Sequence, residues 1–189
     1  MKNMGKLLII VGTSGTGKST LIKKIKLEFP ELQESISYTT RGMRQGEVHG
    51  LSYFFTDREH FKQMLDRGDF LEWATVHDNF YGTSKHFVEE SLNLGRSLIF
   101  DLDVQGADSM KAHFGSNATA VFIAPPSIDD LEIRLKKRGT DSAEIISLRL
   151  ENAKRELLKK DTYDHLIVND DIERAYGELK NIVAALLKK

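Results

Sequence analysis

The chain has no cysteine. Disulfides and thiolate metal sites are therefore excluded, and a reducing compartment such as the cytoplasm is the expected location. It also lacks a charge of one sign, because 27 basic residues stand against 28 acidic ones. No global field draws in nucleic acid, and none is expected as a partner. Long apolar runs are missing as well. The first, "LLIIV", ends at a glycine after five residues, too short for a signal-peptide core or a membrane span, so no membrane partner is expected. Repeats and low-complexity segments are absent. What remains, 40% hydrophobic and 29% charged residues in 189, suits one soluble globular unit, with room for inserted subdomains.

Hydrophobic periodicity predicts a strand at Lys6–Val11 and a helix at Lys18–Phe29, with apolar positions Leu21, Ile22, Ile25 and Leu27 and Pro30 at its end. From Ser35 to Tyr81 short aromatic and β-branched runs alternate with glycines, the texture of a small, mostly antiparallel insert. Within it "TDREHFKQMLDRG" reads as a helix capped by Thr56, with Glu59 three residues on and Gly68 at its stop. A helix over Ser84–Leu94 and buried strands at "SLIFDLD" and "ATAVFIAPP" follow, the strands separated by a helical stretch near Ala107–His113. Ser127 with Asp130 caps a helix to Arg138, and Asp141 with Glu144 opens a charged one to about Lys160. A strand "HLIVN" and an amphipathic helix from about Ile172 complete the alternation of an α/β fold, an open parallel sheet flanked by helices.

The residues after the first strand carry chemistry. Gly12-Thr13-Ser14-Gly15-Thr16-Gly17-Lys18-Ser19 fits G-x-x-x-x-G-K-[ST] between a strand and a helix, the arrangement of a P-loop. Glycines with positive φ turn successive N–H groups into one concavity, and the helix N-terminus adds positive potential there. Lys18 then reaches the β and γ phosphates of a triphosphate, and Ser19 ligates Mg²⁺. The alternative, a glycine-rich turn with an incidental lysine, leaves the full motif unexplained. A P-loop names a donor and leaves the acceptor open. "VNDD" at 168–171 lacks the lysine of a GTPase base-recognition segment, and the length is short for a motor.

In the insert, Arg41 and Arg44 stand beside Glu47 and Tyr53, with Tyr81 further on. Paired guanidinium forks suit a dianionic monophosphate, although an isolated R-x-x-R is more often a solvated turn. Asp101 and Asp103 fall on one face at the end of "SLIFDLD", where ligands bind in open sheets; a helix cap is the competing reading. The six histidines, His49, His60, His77, His86, His113 and His165, show no metal-ligand spacing, and Phe54, Phe55 and Trp73 read as core.

Taken together, "GTSGTGKST", "SISYTTR" with "RQGEVHGLSYFF", "FLEWATVHDNFYGT", "DLDVQGA", "FIAPPS", "RLKKRGT" and "VNDD" resemble the guanylate kinase family, from Gly5 to the C-terminal helix. The resemblance implies a P-loop nucleoside monophosphate kinase with a core at 1–34, 84–125 and 158–189, a GMP-binding insert at 35–83 and a mobile lid at 126–157. It implies transfer of the ATP γ-phosphoryl group to GMP with Mg²⁺. ATP would lie on Gly12 to Thr20 and Asn169. The GMP phosphate would meet Arg41, Arg44, Tyr53 and Tyr81, with Glu47 bracing the arginines, and guanine would meet Ser37, Glu72, Thr83 and Asp103. Asp101 would order water on Mg²⁺, and Lys18, Arg41, Arg138 and Arg149 would act on the transferring group. Arg134 is a further lid arginine, and Lys136, Lys137 and Lys154 read as solvated or in i,i+4 pairs. Two positions depart from the family pattern: "GM" at 42–43 in place of a proline, and Tyr38 after Ser37. Two other functions remain in view, a related interaction module that binds phosphopeptides and a kinase for another monophosphate such as AMP. The oligomeric state is left open.

Overall fold

The computed structural model describes residues 5–76, 78–139 and 141–188, with the side chain of Arg138 outside that description. His77 and Thr140 thus lie outside the described residues, as does the phosphoryl contact expected of the Arg138 side chain.

The central sheet is built from β1 (Leu7–Val11), β2 (Leu32–Glu34), β7 (Ser97–Leu102), β8 (Ala118–Ala124) and β9 (His165–Val168), in the order β2-β7-β1-β8-β9 and parallel throughout. β1 lies at its centre because every residue of "LLIIV" is buried, as a parallel strand covered on both faces requires. One face packs Leu7, Ile9, Phe100 and Phe122 against α3 (Lys85–Asn93) and α4 (Val104–Phe114). The other packs Leu8, Ile10, Ile99 and Ile123 against α1 (Lys18–Glu28) and α7 (Ile172–Leu187). Each fully buried Ile, Leu or Phe stabilises the fold by roughly 1.5–3 kcal/mol before entropy is counted.

A second sheet, β4-β3-β6-β5, contains β3 (Tyr38–Thr39), β4 (Phe54–Phe55), β5 (Phe70–Val76) and β6 (Asn79–Ser84). Its β3–β6 and β5–β6 pairs are antiparallel and its β3–β4 pair is parallel. An aromatic layer holds it to α2 (Arg58–Asp66), where Phe61 stacks on Phe70 at 4.4 Å, and within the sheet Tyr38 stacks on Phe54 at 4.8 Å. Tyr38 thus serves packing in the insert. The third group of helices is α5 (Ile128–Arg138) with α6 (Ala143–Leu157), closed on a small core of Leu131, Leu135, Ile146 and Ala153.

Several expectations are corrected. The cap of α2 is Asp57, whose carboxylate accepts from His60 N–H; Thr56 is held instead by its own N–H donating to the Thr39 carbonyl. The cap of α6 is Ser142, which leaves Asp141 for another partner. Leu27 points to solvent, 86% exposed, since α1 buries only Leu21, Ile22 and Ile25. Trp73 is also exposed, because alternation along β5 turns Glu72 and Ala74 inward. Among the described residues no helix is long and apolar enough to cross a membrane.

Candidate active site

Strand register assembles the site. In the central sheet Ile10 pairs with Asp101 and Val11 with Leu102, so the loop after Val11 opens beside Asp101 and Asp103. β1 has β7 on one side and β8 on the other, which makes its carboxyl end a topological switch point. Within the loop, Gly17 is the N-cap of α1 with φ 92°, a left-handed conformation that side chains resist. The Lys18 ammonium donates to the carbonyls of Gly12 (2.7 Å) and Thr13 (3.2 Å) and lies 3.8 Å from Asp101 Oδ1. Ser19 Oγ donates to Asp101 Oδ2 at 3.2 Å. Burial pushes the Asp101 carboxyl up from the ordinary carboxylate range, while Lys18 and the Ser19 hydroxyl act against that rise. Asn169, 4% exposed, gives its amide to the Thr16 carbonyl at 2.7 Å and braces the loop from below, and its own carbonyl accepts from Arg134.

In the second sheet Thr39 pairs with Tyr81, and Glu72 pairs with Thr83 across a register shift between Phe70 and Glu72. Such an irregularity re-aims a side chain, here a carboxylate turned into the molecule. Thr83 Oγ1 donates to Glu72 Oε1, and both residues are buried. Burial pushes the Glu72 carboxyl up to about 7; Thr83 acts against the rise and the neighbouring charge of Asp103 adds to it. Ser37, 8% exposed, directly precedes β3 in the same sheet. Asp103 neighbours Glu72 and also caps α4, where its Oδ1 accepts from Gly106 N–H at 2.9 Å.

Beside this recess the Arg41 guanidinium makes a two-pronged contact with Glu47, at 3.0 and 2.7 Å, over the rings of Tyr53 and Phe55. Glu47 also accepts from the Arg44 backbone N–H at 2.7 Å, so one carboxylate organises both arginine positions. Burial would raise the Glu47 carboxyl, yet the bonds from Arg41 and Arg44 hold it below the usual range. Tyr53 and Tyr81 meet edge to face at 5.9 Å. Burial, then the charge of Asp101, pushes the Tyr53 hydroxyl well up from the ordinary phenol range, which ties this pocket to the P-loop side. Met43, at the "GM" departure, is exposed.

The family model described as guanylate kinase matches residues 4–186. The chain belongs to the guanylate kinase family. A guanylate kinase of Geobacter metallireducens is 46% identical over 98% of this chain and 91% of its own length. One from Helicobacter pylori strain J99 is 46% identical over the whole chain and 91% of its own length. The crystal structure of guanylate kinase from Anaplasma phagocytophilum superposes with a TM-score of 0.82 at 32% identity, covering 100% of this chain and 89% of that one. A shikimate kinase from Bacteroides thetaiotaomicron, at a TM-score of 0.51 and 14% identity, shares the fold alone.

Three residues in this guanylate kinase frame had no place in the site as read from sequence. Gly106 lets α4 approach the recess, since a Cβ there would stand 2.8 Å from Glu72 Oε2. A glycine inside a helical pattern was the available signal. Glu156 follows Ile146, Arg149 and Ala153 on the buried stripe of α6. Burial lifts its carboxyl to about 6, against the pull of Lys18. The third is Asp141, whose side chain is 6% exposed and ion-paired with Arg149. Of Lys136, Lys137 and Lys154, expected to be solvated or in i,i+4 pairs, Lys136 pairs with Glu132 four residues earlier at 2.6 Å.

Proposed function

We propose that the chain binds ATP on its P-loop and GMP between Arg41, Tyr53, Tyr81 and Glu72, and transfers the γ-phosphoryl group to GMP, giving ADP and GDP. The observation that carries this reading is the recessed Glu72–Thr83 pair beside Asp103, next to a two-arginine pocket and across from a complete P-loop. An ionised Glu72 accepts from N1–H and the exocyclic amine of guanine together, two donors that adenine does not offer. AMP would leave the buried carboxylate without those two donors, a mismatch that reaches discrimination on the order of 10⁴ in sites built on such bonds. Arg41, preset by Glu47, and Arg44 neutralise the acceptor phosphate; Lys18 with Arg138 and Arg149 neutralise the group in transit. Transfer to an anionic acceptor requires alignment and charge balance more than a nucleophile–base pair.

Mg²⁺ is assigned to the Ser19 hydroxyl with Asp101 ordering its water; their facing hard oxygen atoms suit that ion. Ser19 would hold the ion directly and Asp101 through water, and the positive charge it would supply there offsets negative charge developing on the phosphates. In this reading residues 35–83 form the GMP-binding insert and 126–157 the lid on the remaining core, and both close to exclude water. Asn169 lies on the adenine side. The cysteine-free chain is placed in the cytoplasm.

A coupled assay of ADP release with Mg²⁺, offering GMP and AMP separately, tests the proposal. Rapid turnover is expected with GMP alone, abolished by Lys18→Ala and reduced by Glu72→Ala. A folded protein inert toward GMP would refute it and move the arginine pocket to a phosphopeptide-binding test.

A further inference from the structure

Asp141, two residues before α6, lies against Arg149, two turns into that helix. Arg149 Nη2 lies 3.4 Å from Asp141 Oδ1, and their side chains are 8% and 6% exposed. On its other side Arg149 Nη1 donates to Ser14 Oγ of the P-loop at 2.7 Å. Among the described residues, Arg149 Nε and Asp141 Oδ2 are buried with no hydrogen-bond partner. Asp141 does no capping, since Ser142 Oγ accepts from Ile145 N–H in that role.

Burying a guanidinium is costly unless a carboxylate compensates it and its donors are met. Here the carboxylate is supplied, while one donor is unmet and another is spent on a neutral hydroxyl. A hydroxyl is a weaker acceptor than a phosphoryl oxygen, because charge-assisted bonds are about twice as strong. The arrangement is that of a cation stored beside the phosphate cradle with donor capacity in reserve.

We propose that Asp141 is a positioning residue. It fixes the plane of the Arg149 guanidinium and balances its charge, so that on ATP binding Arg149 exchanges Ser14 Oγ for oxygens of the transferring phosphoryl group. The proposal rests on the reading of Arg149 as a phosphoryl contact given above. Asp141 itself touches neither nucleotide.

The test is a mutant cycle in the ADP-release assay, with Asp141→Asn, Asp141→Glu, Arg149→Met and Asp141→Asn/Arg149→Met, each checked by thermal melting and assayed well below its midpoint. Asp141→Asn keeps the shape and removes the charge; because misplacing a charged donor by about 1 Å can cost about 10²-fold, kcat is expected to fall about 10- to 100-fold with KM for GMP and ATP nearly unchanged. Asp141→Glu should recover part of the loss. In the Arg149→Met background Asp141→Asn should change kcat little, because its effect travels through the missing guanidinium. A wild-type kcat for Asp141→Asn beside a crippled Arg149→Met would overturn the positioning role alone, as would losses that multiply in the double variant. A wild-type kcat for Arg149→Met would sink the reading of Arg149 and this proposal with it.

Discussion

Glu72 offers a sharp test through pH. The proposed guanine recognition uses its carboxylate, while burial lifts its titration to about 7 in the nucleotide-free protein. The folded state therefore holds a proton that the unfolded chain, titrating near 4.5, has already lost. The stability from that difference is full below about pH 4.5 and disappears as pH rises through about 7. GMP binding draws the other way, since it selects the ionised form and releases a proton. If only the ionised fraction binds, the apparent Kd scales as 1 + 10^(7−pH), about 11-fold above its limit at pH 6 and about 1.1-fold at pH 8. The GMP phosphate adds about a further twofold over the same range, because phosphate monoesters titrate near 6. Calorimetric titration with GMP in the absence of ATP should thus show affinity weakening about 20-fold from pH 8 to 6 in the wild type. In Glu72→Gln, whose affinity is lower at every pH, the change should be about twofold. Thr83→Val removes the hydroxyl that holds the carboxyl down and should move the wild-type midpoint to higher pH. Equal pH ratios for wild type and Glu72→Gln would refute the assignment of Glu72 as the ionised guanine acceptor.

Two other perturbations probe the neighbouring pockets. Glu47→Gln breaks the ionic two-pronged hold on Arg41 and weakens the acceptor on the Arg44 backbone; hydrogen bonds to charged groups at this strength imply a GMP affinity loss on the order of 10-fold with little change in melting temperature, and unchanged affinity would count against the bracing role. Gly17→Ala adds a Cβ 2.4 Å from Asn169 Nδ2 at φ +92°, so urea unfolding should show a loss of roughly 1–2 kcal/mol from the left-handed backbone alone, plus a steric part that Asn169→Ala in the same chain relieves; an unshifted midpoint would contradict it.

The legibility of this molecule varies with how local each signal is. The P-loop and the central strands could be read because their causes lie within a few consecutive residues: a motif in one turn, and apolar runs for strands covered on both faces. The edge strand Leu32–Glu34 is three residues long and two of them are polar, so no period could announce it. The misread caps teach more. Thr56 and Asp57 are both good caps, as are Asp141 and Ser142, and sequence cannot rank such neighbours. The choice came from elsewhere, because the Thr56 N–H was already committed to Thr39 across the sheet and the Asp141 carboxylate to Arg149 of α6. Trp73 repeats the pattern. A tryptophan belongs inside by hydrophobicity, but a strand has two faces and Glu72 occupies the inward one. In β5 and at the start of α6 a local preference gave way where a charged side chain had to be held in a buried place, which is where natural sequences are expected to depart from local consistency. The same logic makes Glu156 informative: helical periodicity puts an apolar residue at its position on α6, and a carboxylate lies there instead, within electrostatic reach of Lys18 and Asp103.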